Sequence, residues 1–560
     1  MIDWIEYLVF FLMLGSSILT GIYFGFFKKQ NTITEYMQGG KKMGVFPVTM
    51  SLIASHISGV ALLGLPAEVY TYGTQFTASV ISVVLVTIFT LWTVLPVFFH
   101  LKLTSTYQYL ELRFSAANRM MASIIFALTQ VASIPIVIYI PALVFNQVTG
   151  LQSELVALVI CVLCISYTTL GGLKAVVWTD TIQSCFTTMA VIAVAVIGCY
   201  KQGMTEVWQI NQQGHRLEIF NMDPSPFARN TFWTTVLGYS FFWLGVVTFH
   251  PGSLQRFTAV PSYKDAQKVS IWSSFGFIVV KIFCAVVGLL IYAKFHDCDP
   301  LSSNAIKKSG QLVPYYIITT AGKYPGITGL FISGIVSGAL GVMSAGLNTV
   351  AGTLYQDFAQ VFLTNKKLTE SQSALAMKII VIVLGCISVF LLFLVDKFDS
   401  ITQITISVFG ITYGAITSMF ILGLFFPFAN SKGAMIGCLT SIIVMGWIVI
   451  GAQLSITKGK LLFPGKVTNV DKCPFNITSI NARERVQTYK GVGSLVVASE
   501  DVWQVYKLSY GYYCLVGTVI GTIVGVSVSL LTKPQNGKSF NPDLIVPFLH
   551  KYLQKNENRP

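Results

Sequence analysis

The sequence predicts an all-α polytopic membrane protein with thirteen transmembrane helices. Of its 560 residues, 54% are hydrophobic and only 11% are charged, so the apolar surface is too large for one soluble core. Uncharged runs long enough to cross about 30 Å of hydrocarbon recur along the whole chain. Twelve of them begin at Tyr7, Met43, Val69, Met120, Leu155, Thr181, Asn230, Tyr324, Ile379, Ser400, Gly433 and Leu508. The thirteenth run, Val269 to Ala293, is interrupted only by Lys281.

Two of the predicted spans contain helix-breaking residues at corresponding places. In lipid, backbone groups freed by such a break must be satisfied by other protein groups or by a polar cavity. Two unwound midpoints at matching positions are typical of inverted repeats around a site at the membrane midplane. The pattern therefore predicts two five-helix repeats with an ion or solute site between them. The breaks are at Gly59, Gly64 and Pro66 in the run from Met43 to Ala67, and at Gly245, Pro251 and Gly252 in the run from Asn230 to Gln255.

The predicted spans divide one continuous domain into successive parts. No Pro/Ser-rich stretch or charge run separates them, so we expect no flexible linker between two halves. The predicted parts are an accessory first helix with its loop (1–44), the first repeat (45–230), the second repeat (231–431), two further helices (432–531) that enclose a long extracellular loop (455–507), and a polar cytoplasmic tail (532–560).

The distribution of Lys and Arg predicts the orientation in the plasma membrane. An odd number of spans puts the two termini on opposite faces, and short segments rich in Lys and Arg face the cytoplasm. This asymmetry places the amino terminus outside and the carboxyl terminus inside. The net charge of +14 then reflects membrane topology and not nucleic-acid binding, because no basic stripe with interleaved aromatic residues occurs outside the spans.

Two features of the predicted extracellular segments suggest covalent modification. The sequon Asn476-Ile477-Thr478 falls in the long loop, so we expect Asn476 to be glycosylated. Cys298 and Cys473 also fall outside, where a disulfide bond is stable. A bonded pair and two free thiols are both compatible with the sequence.

The sequence contains no catalytic constellation. It has no phosphate-binding loop, no clustered Cys and His ligands for a metal, and no Ser/His/Asp set in a common aqueous segment. The residues therefore predict a protein that is not an enzyme.

Several motifs resemble those of the sodium/solute symporter family. Gly171 to Gln183 is similar to the family signature, and Gln255–Phe257 with Lys264–Ala266 is similar to its cytoplasmic motif after the sixth core helix. Gly64–Tyr70 and Phe426–Ala434 resemble the branch that carries monocarboxylates, iodide, biotin and pantothenate. The resemblance covers nearly the whole chain. It implies a leucine-transporter-type 5+5 inverted repeat with discontinuous first and sixth core helices, and inward, sodium-coupled symport of a small organic anion by alternating access.

The resemblance also implies a sodium site near the cytoplasmic side. Asp180, with Gln183 one turn further on, matches its acidic and amide donors, and Ser55 and Ser344 match its hydroxyls. Hard cations prefer such oxygen ligands. The alternative is that Asp180 is a solvated acid at a helix start, where the helix dipole favours it.

A second, more widely shared sodium site of the family departs from its pattern here. It uses backbone carbonyls of the first broken helix, matched by Ala54 and Ile57, and two adjacent hydroxyl residues. Gly341 and Val342 occupy the hydroxyl positions, and neither supplies a side-chain oxygen. Proton-coupled or facilitative transport, and a solute sensor without transport, are therefore alternatives to sodium symport.

Side chains at the two breaks are candidates for binding the anion. An ionisable residue in a membrane span is a functional candidate by default. His56 and His250 either contact a substrate carboxylate, carry a coupled proton, or are neutral and bond a freed carbonyl. Lys281 is either a snorkelling lysine or a charge partner for the substrate or for Asp180. The other candidates are small residues at the same breaks: Ser51, Ser58, Gly59, Thr248 and Ser253.

Overall fold

The structure is a computed structural model, and most of the chain that it describes is helical. It describes residues 4–27, 35, 39–101, 103, 105–322, 324–359, 369–395, 401–473, 497–499, 501–535 and 541–550. The α-helices are α1 (Trp4–Ile22), α2 (Val45–His56), α3 (Gly59–Tyr72), α4 (Ser79–Phe89), α5 (Leu95–His100), α6 (Gln108–Arg113), α7 (Ala116–Thr149), α8 (Ser153–Gln202), α9 (Met204–Gln213), α10 (Tyr239–Trp243), α11 (Pro251–Ala259), α12 (Tyr263–Phe295), α13 (Leu312–Thr320), α14 (Ile327–Leu354), α15 (Glu370–Val395), α16 (Ile401–Phe425), α17 (Ser431–Thr457) and α18 (Tyr513–Leu531).

Shorter elements connect or extend these helices. The π-helical turns are Tyr23–Phe27, Thr90–Val94, Trp233–Gly238, Leu244–Thr248 and Tyr355–Ala359. The 3₁₀ turns are Gly39–Lys41, Thr74–Ala78, Ser309–Gln311, Gln504–Lys507, Tyr510–Tyr512, Pro542–Leu544 and Pro547–Leu549. Two short strands, β1 (Leu461–Leu462) and β2 (Val497–Ala498), pair antiparallel.

Ten helices of the described chain are long and apolar enough to cross a membrane, or eleven if α2 and α3 count as one span. The predicted number of thirteen stays a prediction. The runs predicted to begin at Leu155 and Thr181 both lie in α8, which has 50 residues. A straight helix of that many residues would be about 75 Å long, far more than one crossing needs. Gly172 interrupts α8 with φ 53° and ψ −159°, a backbone conformation that essentially only glycine adopts.

Both helices predicted to be discontinuous are broken. The axes of α2 and α3 differ by 59°, and Ile57 and Ser58 between them are extended. The predicted start of a new span at Val69 is wrong, because α3 continues to Tyr72. The second break comes after Thr248, and an extended His250 leads into α11. The inverted relation of the two halves stays a prediction.

A nearly fully buried helix, α14, passes beside the first break. Glycines on its surface let the two backbones approach. A Cβ atom at Gly338 would lie 3.0 Å from the carbonyl oxygen of Ile57, and one at Gly341 would lie 3.1 Å from the Cβ atom of Ala54. Because small residues permit such close packing in membranes, α14 supports the unwound segment directly.

The predicted extracellular segments are tied together near the end of α12. Cys298 and Cys473 are joined by a disulfide bond. Next to it, Lys472 Nζ lies 2.9 Å from Asp297 Oδ2, and this hydrogen bond lowers the pKa of the Asp297 carboxyl. The disulfide thus joins the segment after α12 to the loop that follows α17. Asn476, the predicted glycosylation site, lies outside the described residues.

Part of the tail predicted to be polar is packed against the helices. Leu544, Ile545 and Val546 are buried. The hydroxyl of Tyr109 in α6 donates to the Leu544 carbonyl at 2.9 Å, and the Val546 amide donates to the carbonyl of Leu424 in α16 at 3.3 Å. Three consecutive apolar residues in a polar stretch are thus removed from water.

The last two long helices, α17 and α18, pack through glycine. A Cβ atom at Gly437 in α17 would lie only 2.3 Å from the Gly521 carbonyl oxygen in α18. A Cβ atom at Gly446 in the same helix would meet nothing within 4 Å. Gly437 therefore sets the distance between the two helices, whereas Gly446 does not.

We expect Gly437→Ala to destabilise the protein by about 1 to 3 kcal/mol, since the added methyl group overlaps a backbone that cannot easily move. Gly446→Ala is the matched control. It should be neutral or stabilising by up to about 1 kcal/mol, because alanine favours the helix. Thermal unfolding of the three purified proteins in one detergent checks this, and equal midpoints for the two variants would contradict it.

Candidate functional site

A cavity of about 200 Å³ lies between the two helix breaks. Its wall includes Ser55 and His56 at the end of α2, the extended residues Ile57 and Ser58, and, from the second break, His250. Aromatic rings form much of the remaining wall, so the cavity is mainly apolar with polar groups at the breaks. The rings belong to Phe76, Tyr239, Phe242, Trp243, Phe277, Phe409, Tyr413 and Tyr510. We call this space the central cavity.

The two imidazoles at the breaks face each other across the cavity wall. Their ring centroids are 5.9 Å apart and their planes are nearly perpendicular. His56 Nε2 lies 3.2 Å from the Ser253 hydroxyl, and His250 Nε2 lies 2.7 Å from the side-chain nitrogen of Gln130. His250 Nδ1 accepts the Gly252 amide at 3.0 Å and so caps α11. Each ring therefore has a hydrogen-bond partner on another element.

The hydrogen bond that caps α11 determines which nitrogen of the His250 ring carries the proton. Because Nδ1 of His250 accepts an N–H group, it carries no proton, and the proton of the neutral ring is on Nε2. Nε2 then donates to the Gln130 side chain once that amide is turned to present its oxygen. Protonating Nδ1 would remove the cap. His250 therefore fits the predicted alternative of a neutral imidazole. Its hydrogen-bond partners are the Gly252 amide and the Gln130 side chain, however, and not a carbonyl freed by the break.

The smaller candidates at the breaks are placed differently from one another. Ser58 lines the central cavity, whereas Gly59, Thr248 and Ser253 are not part of its described wall. A Cβ atom at Gly59 would lie 3.1 Å from Ile140. The Thr248 hydroxyl is 2.7 Å from that of Thr90. Gly59 and Thr248 therefore pack helices together, and Ser253 reaches the cavity only through His56.

Asp180 is fully buried in the middle of α8, so the alternative of a solvated acid at a helix start is wrong. The Ser51 hydroxyl donates to Asp180 Oδ2 at 2.6 Å, and Arg256 Nη2 lies 3.1 Å from the same oxygen. The Ser344 hydroxyl is 3.4 Å from Oδ1. The arginine neutralises the buried carboxylate, and Ser51 and Ser344 supply further hydrogen bonds.

Arg256 is the functional residue that the sequence reasoning missed. Its motif placed it among the cytoplasmic cations, but only 1% of its side chain is exposed. Arg256 Nε donates to the Ser51 hydroxyl at 2.8 Å, and Nη1 donates to the Gly252 carbonyl at 3.0 Å. The available signal was its place one turn after the second break, where a buried signature acid on another helix needs a counter-charge. Ser51, Asp180 and Arg256 are called the ion-pair cluster below.

Lys281 does not pair with Asp180, contrary to one of its predicted roles. Its ammonium donates to the Ser79 hydroxyl at 3.0 Å and lies 4.7 Å from the centre of the Trp243 ring. It also lines the central cavity. The snorkelling alternative does not fit either, because the side chain is turned toward the cavity.

The residues predicted for the first sodium site are only partly brought together. Ser344 joins Asp180, but the Ser55 hydroxyl donates to the Ser51 carbonyl at 2.6 Å and lines the central cavity. The Gln183 amide nitrogen donates to Ser17 in α1 at 3.1 Å. Its oxygen is buried and has no hydrogen-bond partner among the described residues. That oxygen is available as a ligand for a cation one turn from Asp180.

The residues predicted for the second sodium site do lie next to one another. A Cβ atom at Gly341 would be 3.3 Å from the Ala54 carbonyl oxygen, and Val342 reaches the central cavity. At this predicted site, Ala54 and Ile57 offer backbone carbonyl oxygens, whereas Gly341 and Val342 of α14 offer no side-chain oxygen. The second site is therefore poorer in oxygen than the first.

A second ion pair lies at another part of the cavity wall. Arg229 donates to both carboxylate oxygens of Glu68 at 2.8 and 3.1 Å. Asn230 and the Tyr510 hydroxyl also donate to Glu68, at 2.8 and 3.2 Å. The guanidinium lies 4.3 Å from the Tyr72 ring. Glu68 lies on α3, Arg229 precedes the second broken helix and Tyr510 precedes α18. The hydrogen bonds to Glu68 therefore join these three parts of the chain, and Glu68 and Tyr510 also line the central cavity.

Comparisons with known proteins agree on the relationship. Residues 36–441 match the family model for the sodium:solute symporter family. The chain is 35% identical to sodium-coupled monocarboxylate transporter 1 of Xenopus laevis, with 94% of this chain and 85% of that protein aligned. It is 34% identical to sodium-coupled monocarboxylate transporter 2 of Mus musculus, over 97% and 86%. It is 32% identical to a putative sodium-dependent multivitamin transporter of Drosophila melanogaster, over 99% and 92%.

A solved structure shares the fold. The chain superimposes on a substrate-bound, outward-open Na⁺-coupled sialic acid symporter with a TM-score of 0.76 and 22% identity, over 95% of this chain and 99% of the other. Together with the apolar helices, these matches confirm a multi-pass membrane protein that is a transporter and not an enzyme. The chain belongs to the sodium:solute symporter family.

Proposed function

We propose that this protein is a sodium-coupled symporter that carries a small organic anion through the central cavity by alternating access. The observation that carries the proposal is the position of the cavity, which lies between two broken helices and is lined by residues of both breaks. We further propose thirteen crossings, a plasma-membrane location, an extracellular amino terminus and glycosylation at Asn476.

The wall of the cavity and the relatives favour an organic anion as the solute. Aromatic rings suit an apolar body, and most of the exposed surface of the wall is apolar. The relatives of this chain are named for monocarboxylates and vitamins. A carboxylate with an apolar body would therefore match both the wall and these relatives.

The two ion pairs supply the closures that alternating access needs. The Glu68–Arg229 pair joins the outer half of the first broken helix to the segment before the second. The ion-pair cluster joins the inner halves, α2 and α11, to α8. Opening the cavity to the outside separates Glu68 from Arg229, and opening it inward separates Arg256 from Ser51. Keeping one pair closed at all times prevents a continuous leak.

We expect Asp180 and Gln183 to bind the sodium ion. Asp180 supplies charge, and the Gln183 oxygen is buried and free of a protein partner. Sodium prefers oxygen ligands of this kind. Because Arg256 already neutralises Asp180, the cation and the guanidinium share one carboxylate. The oxygen-poor second site is the observation that favours the alternative, sodium-independent facilitative transport.

Uptake of radiolabelled carboxylates into cells that express the protein, in sodium and in choline buffer and at two pH values, tests the proposal. We expect uptake to fall about tenfold or more in choline, a typical size for the coupling between two bound ligands. A carboxylate that is fully ionised at both pH values should show little pH dependence. Equal uptake in both buffers would contradict sodium coupling, and a requirement for low pH would favour a proton.

The ion-pair cluster is tested by Asp180→Asn and by Asp180→Asn combined with Arg256→Met. The single variant leaves a buried arginine unpaired and should lose about 3 to 5 kcal/mol of stability, much of which the double variant should recover. Neither should transport with sodium dependence. The matched control is Asp357→Asn with Arg119→Met, which removes a buried ion pair that lies outside both the described cavity wall and the ion-pair cluster and should retain sodium dependence. A folded double variant at Asp180 and Arg256 with unchanged sodium dependence would contradict the ligand role.

The oxygen-poor site is tested by adding hydroxyls. Gly341→Ser with Val342→Thr should lower the half-saturating sodium concentration about two- to tenfold. This is the size of effect that one added contact with an uncharged polar group has on binding. Gly341→Ala is the control, since it adds the same crowding against Ala54 without an oxygen. Sodium titration of uptake measures the effect. A folded double variant with no gain in sodium affinity would show that these positions do not face the ion.

A further inference from the structure

Lys281 brings a basic amino group to the wall of the central cavity. It lies within the apolar part of α12, and its ammonium donates to the Ser79 hydroxyl at 3.0 Å. Ser79 itself is fully buried at the start of α4. The ammonium also lies 4.7 Å from the Trp243 ring and 6.0 Å from the Phe76 ring. Two aromatic faces and one hydroxyl therefore hold it in place.

No carboxylate of the described chain forms an ion pair with Lys281. The cavity wall contains one carboxylate, that of Glu68, and this group already accepts bonds from Arg229, Asn230 and Tyr510. An ammonium has three donors, and Ser79 takes one of them. A charge in a membrane span is costly unless it is paired. An anion from solution would supply the missing partner.

Other positive groups at the cavity are less suited to the same task. Among the described lining residues, Lys281 is the one lysine or arginine. His250 uses Nδ1 to accept the cap of α11, and His56 shares a hydrogen bond with Ser253. The Arg229 and Arg256 guanidinium groups are each paired with a carboxylate. Lys281 is therefore the best-placed cation for an anionic solute.

We propose that Lys281, positioned by Ser79, binds the carboxylate of the transported solute. This inference rests on the proposed function and names the subsite that it uses. Phe277 lies one turn before Lys281 on α12 and stacks on Trp243, and its ring is 5.7 Å from that of His56. The apolar body of the solute would lie on these two rings, with its far end toward His56. A single cation selects a solute with one carboxylate, because a second charge would face aromatic rings.

Binding to the purified protein in lipid nanodiscs tests this assignment independently of transport. The probes are nicotinate, butyrate, lactate and biotin, each paired with its neutral amide of nearly the same shape. Wild-type protein should bind at least one carboxylate better than its amide, measured by the ligand-dependent rise in the thermal midpoint. Lys281→Met should weaken carboxylate binding roughly ten- to hundredfold, the effect of one charge-assisted hydrogen bond, and leave amide binding unchanged.

Three variants complete the test. Lys281→Arg keeps the charge and should keep the carboxylate preference. Ser79→Ala keeps the lysine but removes its acceptor, and should weaken carboxylate binding several-fold even if Lys281→Met does not fold. Lys294→Met is the matched control, an exposed lysine further along α12 that is not in the described cavity wall, and should behave as wild type.

The outcomes separate this inference from the proposed function. A wild type that binds no carboxylate better than its amide overturns the role of Lys281. So does a folded Lys281→Met variant that retains the preference in full. A carboxylate preference that depends on Lys281, in a protein without uptake, supports the subsite and overturns the transport function.

Discussion

The buried contact between Asp180 and Arg256 is the interaction on which the rest of the structure depends. A carboxylate and a guanidinium removed from water each cost several kcal/mol unless they are paired and hydrogen-bonded. Here the two charges and the Ser51 hydroxyl satisfy one another. Because the three residues lie on α8, α11 and α2, neither broken helix can move freely relative to α8. The geometry of both breaks, and so of the central cavity, follows from this constraint.

The breaks themselves are supported in two different ways. At the first break, α14 packs so closely that a Cβ atom at Gly338 or Gly341 would crowd the neighbouring segment, and its backbone lies against the carbonyls of the first break. At the second, His250 caps α11 with its own ring. The first break therefore leaves backbone carbonyl oxygens beside α14. At the second break, an imidazole nitrogen of His250 accepts a backbone N–H group. The two halves of the fold therefore present chemically different surfaces to the cavity.

Local features of the sequence predicted much of this architecture, and contacts between distant segments were harder to foresee. Apolar runs located most of the described spans, and Gly59 and Pro251 marked the two breaks, because these signals act within one helix. Gly64 and Pro66, also predicted to break the first helix, lie inside the continuous helix α3. The role of Arg256 was missed because its partner, Asp180, lies 76 residues away in the chain. The cap made by His250 depends on the orientation of its ring, which composition does not reveal. The packed tail was missed because Leu544 to Val546 is too short to stand out.

The connection between the ion-pair cluster and the cavity gives the proposed sodium ion a route by which to act on a solute that it does not touch. Helix α2 carries Ser51 at the cluster and His56 at the cavity. Likewise α11 carries Arg256 at the cluster, and His250 at the cavity caps its start. Under the proposed function, a cation that weakened the contact between Arg256 and Asp180 would shift both helix ends that line the cavity. By linkage, a solute that fixes those ends must change cation affinity by the same factor. Coupling then requires only these two short helices, each about one to two turns from cluster to cavity.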